Sequence, residues 1–277
     1  MTPVGGSSLR VTFHGVRGST PCHGPDTVRY GGNTSCVSVQ APGSPPVLLD
    51  LGTGLRYFRP VDQGPLRAVA LVTHLHWDHV QGIPFFPPLL EAGNELDVYA
   101  PVQEDGRTVK QAIDSIICPP QFPVSLDLFS GSFRFHDITD CSFRAGDVQV
   151  TARLVPHIGP TLGYRLEHGG RSVAYIPDHQ QPYDGSMAVP DAVRELAEGV
   201  DVLIHDSQYT PAEFKKKFFF GHCTQDFALN IARECGAQTL VMFHHDPVRT
   251  DDELDGLGCV DGQVKVVAAR EGLVLDL

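Results

Sequence analysis

AVALVTHLHWDHV, residues 68–80, runs from an unbroken apolar stretch straight into four ligand-type side chains, His74, His76, Asp78 and His79. The apolar part reads as a buried strand, so the polar residues fall at its end. In an extended chain alternate residues face the same way, and His74 and His76 are placed to grip one ion together. Asp78 and His79 come as the chain turns, toward a second ion close to the first. The competing reading, a polar loop of solvated histidines, would have to stand on this cluster alone.

The same pattern recurs. An apolar run ends in His157 (VTARLVPH, 150–157), Asp178 (SVAYIPD, 172–178), His205 (VDVLIH, 200–205) and His244 (TLVMFH, 239–244). Strand ends of this kind converge on one edge of a sheet, so five dispersed segments would bring imidazoles and carboxylates together. A dinuclear metal site follows. Nitrogen and oxygen ligands without thiolate suit Zn²⁺, Mn²⁺, Fe or Ni²⁺, and residue type does not choose among them.

Composition sets the surroundings. The chain has 277 residues, 42% hydrophobic and 19% charged, within the range of soluble globular proteins. Its 21 Lys+Arg against 33 Asp+Glu leave a net charge of −12, which repels a polyphosphate backbone and favours small or uncharged substrates. A nucleic-acid polymer would need a local basic patch. The seven cysteines are scattered, without a CxxC pair, and read as reduced thiols of a cytoplasmic protein. The start, MTPVGGSSLRVTF, has no cationic and apolar leader, and no run is long enough to span a membrane.

No repeat or long linker divides the chain, so 1–277 reads as one domain. Apolar runs predict strands at 9–13, 34–40, 47–50, 68–73, 97–99, 148–155, 163–166, 172–176, 200–204, 239–243 and 264–268. Helices are predicted at 106–116, 191–198, 211–217 and 224–235. The last has Thr224 as N-cap, Phe227, Ala228, Ile231 and Ala232 as its apolar stripe, and Gly236 as its stop. Hairpin-like strands early and strand–helix alternation later predict an α/β fold, mixed β-sheets with helices on their outer faces.

THLHWDH (73–79) resembles the HxHxDH signature of the metallo-β-lactamase superfamily, whose αββα sandwich places two mixed sheets between helices. Further positions of that family match in order: Asp50 in LLDLGTG, His157, Asp178 and the pair His244–His245. IHDSQYT (204–210) and GHCTQDFALNIARECGAQTLVMFHH (221–245) resemble the ribonuclease Z-like phosphodiesterases. FHGVRGSTP with YGGNTSCV (30–37) is similar to a bacterial branch of metal-dependent hydrolases, some of which cleave cyclic nucleotides.

The resemblance implies two divalent ions per chain, zinc first with manganese, iron or nickel as alternatives. His74, His76 and His157 would hold one, Asp78, His79 and His244 the other, and Asp178 would bridge; His245 is the alternative to His244. The ions would lower the pKa of a shared water. His222 matches the histidine that protonates the departing alkoxide and Asp206 the acid that orients it, so Asp78, His222 and Asp206 are the candidate catalytic residues. His205 would support the site from outside.

Some features depart from ribonuclease Z. No basic-rich insertion resembles its tRNA-holding arm. Residues 83–147 form a different insertion, with IPFFPPLL (83–90) and ICPPQFPV (117–124), expected as ordered loops over the metal edge. There Phe85, Phe86 and Phe122 either stack a nucleobase or pack as apolar loop and dimer surface. Lys at 215–217 faces either solvent or a phosphate. HGVRGS (14–19) reads as a turn, or as amides and Arg17 offered to phosphate. Trp77 is expected to pack under the site. The expectation is a phosphodiesterase for small phosphodiesters, most of all cyclic nucleotides, acting as a homodimer. The alternatives are a tRNA 3′-end endonuclease and a carboxyl-ester, thioester or lactam hydrolase.

Overall fold

The computed structural model describes residues 9–60 and 64–277, without the side chains of residues 259 and 260. The reading of the first eight residues lies outside the described residues. In chain order the strands are β1 Arg10–Gly15, β2 Cys36–Gln40, β3 Val47–Leu49, β4 Arg67–Leu71, β5 Glu95–Pro101, β6 Ser132–Ile138, β7 Cys141–Ala145 and β8 Val148–Leu154. There follow β9 Leu162–His168, β10 Arg171–Ile176, β11 Val202–Asp206, β12 Thr239–Phe243, β13 Cys259–Asp261, β14 Val264–Ala268 and β15 Val274–Asp276. The α-helices are α1 Trp77–Val80, α2 Val109–Asp114, α3 Asp191–Ala197, α4 Pro211–Lys217, α5 Gln225–Glu234 and α6 Asp251–Asp255.

The strands form a seven-stranded sheet, β15-β1-β2-β3-β4-β5-β6, and an eight-stranded one, β13-β14-β12-β11-β10-β9-β8-β7. Both are mixed. Strands β3 to β6 pair in parallel, as do β10, β11, β12 and β14. Alternation decides which side chain goes where. In β3, Val47 and Leu49 enter the core between the sheets with Phe13, Tyr164, Tyr175 and Phe243, while Leu48 faces the outer layer. Outside the first sheet Leu48, Ala70 and Val98 pack on Phe58, Phe86 and Ile113. Outside the second, Ala174, Leu203 and Leu240 pack on Val193 and Leu196 of α3 and on Phe227 and Ile231 of α5. The result is an αββα sandwich.

Local signals explain the helices near the site. Helix α5 starts at Thr224, whose hydroxyl accepts the Phe227 amide, and α4 starts in a capping box between Thr210 and Glu213. Two expectations need correction. Hairpins account for β1 to β3 and β7 to β10, but β3 to β6 are joined by crossovers and run parallel. Residues 83–147 are not wholly loops over the metal edge. They include β5, α2, β6 and β7, and β6 and β7 form the outer edges of the two sheets. In SFRFHDI (132–138) alternate residues are polar and partly exposed, as an edge strand requires, which lowers the apolar signal. Among the described residues no helix is long and apolar enough to cross a membrane.

Candidate metal centre

Parallel strands carry their C-terminal ends to one edge. Asp50 follows β3, Thr73 and His74 follow β4, His157 follows β8, Asp178 follows β10, Asp206 ends β11 and His244 follows β12. Helix α1, directly after His76, turns Asp78 and His79 back into the same space.

Two clusters form there. The ligand atoms of His74, His76 and His157 lie within 4.8 Å of one another, as do those of Asp78, His79 and His244. Asp178 stands between them: Oδ2 is 3.7 Å from His74 Nε2 and 3.6 Å from His157 Nε2, while Oδ1 is 3.1 Å from His79 Nε2 and 3.4 Å from His244 Nε2. Asp78 Oδ2 lies 3.4 Å from His79 Nε2 and 3.1 Å from His244 Nε2. The atoms that face inward are short of partners. His74 Nε2, His79 Nε2 and Asp178 Oδ1 are buried and make no hydrogen bond, a costly state that a cation at their centre would relieve. Burial first, then the neighbouring His79, pushes His74 well below the ordinary imidazole pKa, and burial lowers His157 to about 4. Both are therefore neutral, with lone pairs free for a metal.

The far sides of these rings are pinned. His79 Nδ1 donates to Asp50 Oδ2 at 2.7 Å, His157 Nδ1 to the Gly221 carbonyl at 2.6 Å and His244 Nδ1 to Gln208 Oε1 at 2.8 Å. His74 Nδ1 lies 3.0 Å from the Thr73 hydroxyl, which itself donates to Asp50. Asp50 also accepts the Thr73 amide and the Tyr175 hydroxyl. Each bond leaves Nε2 as the atom that faces the cluster, which is how metal-binding histidines are oriented.

Backbone strain gathers at the same point. Among the described residues the non-glycine residues with positive φ are Ser19, Asp50 and His244, at 62°, 58° and 56°. All three touch the second cluster or its supports. At Ser19 the Thr20 amide bonds back to the Gly18 carbonyl at 2.7 Å, a three-residue turn with a left-handed centre, the rare and strained form. That turn presents the Ser19 amide to Asp78 Oδ2 at 2.6 Å.

Residues 47–245, which span every cluster residue, match the family described as the beta-lactamase superfamily domain. The chain belongs to the beta-lactamase superfamily. The match covers more than half of the chain, and the metallo-β-lactamase sandwich agrees with it. A Ribonuclease Z from Natronomonas pharaonis is 26% identical over 276 residues, covering 86% of this chain and 87% of that protein. The metallo-beta-lactamase fold protein YhfI from Bacillus subtilis superposes with a TM-score of 0.71 at 19% identity, covering 98% of this chain and 99% of its own. Human tRNase Z, short form, gives 0.67 at 21% identity, covering 96% and 98%. This superfamily member is a hydrolase, and its clustered histidines and aspartates suit divalent metal ions.

The remaining candidates of this beta-lactamase superfamily chain separate clearly. His222 Nδ1 lies 2.9 Å from Asp206 Oδ2, beside the cluster. Burial opposes a charge on His222, but the carboxylates around it, Asp206 first and then Asp178 and Asp78, together outweigh burial and raise the pKa. Asp206 is itself held, accepting the His179 and Gln208 amides. His205 pairs with His179 at 3.0 Å, behind the site. His245 turns away to the Ala269 carbonyl at 2.9 Å, so His244 is the member of the pair in the cluster.

Arg17 does not face a ligand. Fully buried, it donates to the Gly31, Asp246 and Arg249 carbonyls and so anchors the loop that carries Ser19. Trp77 does not pack under the site; it is 49% exposed, because α1 turns Asp78, His79 and Val80 inward and leaves position 77 outside. Phe86 is core, packed on Phe58, whereas Phe85 is 62% exposed and meets Phe122 edge-on at 5.8 Å. Lys217 bonds Asp246 at 2.7 Å and sits over the Tyr209 ring. Sequence reasoning named Asp50 without a role and missed Gln208, the Gly221 carbonyl and the Ser19 amide. Glutamine after a strand is the only residue-type signal among these three.

Proposed function

We propose that this chain is a dinuclear metal-dependent phosphodiesterase acting on small phosphodiesters, cyclic nucleotides above all. His74, His76 and His157 would hold one divalent cation and Asp78, His79 and His244 the other, with Asp178 between them; zinc is the first choice, and manganese, iron or nickel the alternatives. When bound, two such ions supply Lewis acidity and make water a nucleophile near neutral pH.

The observation that carries the reading is the His222–Asp206 pair, 2.9 Å apart at the edge of the cluster. A phosphodiester expels a poor alkoxide, which must be protonated as it leaves. With Nδ1 committed to Asp206, Nε2 of His222 is the edge left to hold that proton. The ester, thioester or lactam hydrolase ranks last, because the resemblance around His222 and Asp206 is to the ribonuclease Z-like phosphodiesterases and a thioester, which expels a thiolate, has no need of such a donor.

The relatives called Ribonuclease Z favour a second reading, 3′-end cleavage of precursor tRNA. The net charge of −12 and the absence of a basic-rich insertion favour the small diester. One panel decides: the metal-loaded protein assayed on cyclic nucleotides, bis-p-nitrophenyl phosphate, precursor tRNA and nitrocefin. Turnover of cyclic nucleotides above the others is the expected result. Efficient tRNA cleavage at physiological salt would replace it by the second reading. We further infer one domain over 1–277, a cytoplasmic setting suited to its free cysteines, and a homodimer that uses the exposed Phe85.

A further inference from the structure

Residues 215–220 read KKKFFF. Helix α4 ends on the three lysines, and the 3₁₀ turn Phe218–Phe220 follows. All three rings are exposed, Phe219 by 55% and Phe220 by 54%, and so is Tyr183. They form a row: Tyr183 meets Phe218 edge-on at 5.8 Å, Phe218 meets Phe219 edge-on at 5.6 Å, and Phe219 meets Phe220 at 4.6 Å with planes 31° apart. Four contacting aromatic rings left in solvent mark a ligand or partner surface rather than scattered surface apolarity.

Their place in the chain ties them to the site. Gly221 comes next, and its carbonyl holds His157. At φ +92° a Cβ there would lie 2.5 Å from the His157 ring, so the backbone passes hard against that residue. His222 follows at once. Two Cα steps put the Phe220 Cα within about 7 Å of the His222 Cα. Ile158, exposed beside His157, meets the same seam, its Cγ1 3.0 Å from that Cβ position. The row therefore starts at the rim of the proposed reacting centre.

Charge narrows the occupant. In a chain of net charge −12, three consecutive lysines adjoin these rings; Lys217 is paired with Asp246, while Lys215 and Lys216 are exposed. Cations beside open π-faces suit a ligand that combines phosphate with a flat base. We propose that Phe219 and Phe220, braced by Phe218 and Tyr183, form a stacking platform for the base of a nucleotide whose phosphate lies at the metal centre. This rests on the phosphodiesterase reading and adds to it the part of the substrate that gives selectivity.

The test is calorimetric binding of two probes to the metal-loaded protein, adenosine 5′-monophosphate and ribose 5-phosphate, which share the phosphate and differ by the base. The wild type should bind the nucleotide about tenfold more tightly, the scale of one base stacked on an aromatic ring. Phe219→Ala and Phe220→Ala should each reduce that preference to about twofold or less, with ribose 5-phosphate binding unchanged, and Phe220→Trp should keep it. The rings are exposed, so an unchanged melting temperature confirms folding of each variant. Equal binding of both probes by the wild type, or a preference that survives both alanine variants, overturns the platform. So does a shift in sedimentation of the alanine variants with the preference intact, which would assign the rings to a protein contact. Hydrolysis of cyclic nucleotides by the wild type is read separately, so failure of the platform and failure of the phosphodiesterase reading give different results.

Discussion

The Ser19 amide donates to Asp78 Oδ2 at 2.6 Å, although Ser19 must hold φ at 62° to do so. A strained residue aims a backbone donor at one carboxylate of the second cluster. The adjacent Gly18 is what lets the turn approach: a Cβ there would lie 2.3 Å from His244 Nδ1 and 2.8 Å from Gln208 Oε1.

Gly18→Ala should therefore disturb the second cation position alone. Zinc titration by calorimetry should show one binding step losing about tenfold or more in affinity, with the other step unchanged. Equal weakening of both steps would mean that the loop supports the fold rather than one position.

Gln208→Leu removes the acceptor of His244 Nδ1 and frees that ring to turn. Affinity at the second position should fall by about 10- to 100-fold, with the melting temperature of the metal-free protein nearly unchanged. Unaltered metal binding would deny the support role.

His222→Ala should retain both cations yet lose about 10²- to 10⁴-fold in turnover of an unactivated diester. The loss should be much smaller with bis-p-nitrophenyl phosphate, whose leaving group needs little protonation. Equal losses on the two substrates would show that His222 only shapes the pocket.

The neighbours Phe85 and Phe86 should part company. Phe86→Ala empties a fully buried position and should cost about 3–5 kcal/mol in urea unfolding. Phe85→Ala should change the monomer's stability by less than about 0.5 kcal/mol while weakening dimerisation in sedimentation. Unchanged association would remove Phe85 from the inferred dimer contact.

His14 gives the stability a pH dependence. Burial, then the charge of Arg59, lowers its pKa from 6.5 to about 4 in the folded protein. Between these values the unfolded chain binds the extra proton, so the contribution is complete above the upper pKa and is lost as pH falls through the lower one. It is on the order of 2 kcal/mol, given partial exposure. His14→Gln should flatten the rise in unfolding free energy between those pH values, and an unchanged slope would assign it to other groups.

The HxHxDH run, the strand-end residues His157, Asp178 and His244, and the N-cap Thr224 are all legible in the sequence, because each is a residue type at a position that local periodicity defines. Strand 239–243 was legible in full because a run buried on both faces is almost wholly apolar, and 264–268 because its alternate buried positions, Val264, Val266 and Ala268, are apolar. Strands β6 and β7 were not, since edge strands alternate polar residues and dilute that signal. His244 was preferred to His245 because it directly follows its strand, but neighbouring residues on a turning chain differ only in direction, and only the packed structure turns His245 away to the Ala269 carbonyl. Phe85 and Phe86 pose the same problem. The Gly221 carbonyl and the Ser19 amide carry no side-chain signature at all, and they reach His157 and Asp78 from 64 and 59 residues away. Chemical identity is written locally, but a hydrogen bond between remote segments exists only once the two sheets have packed and brought their strand ends to one edge.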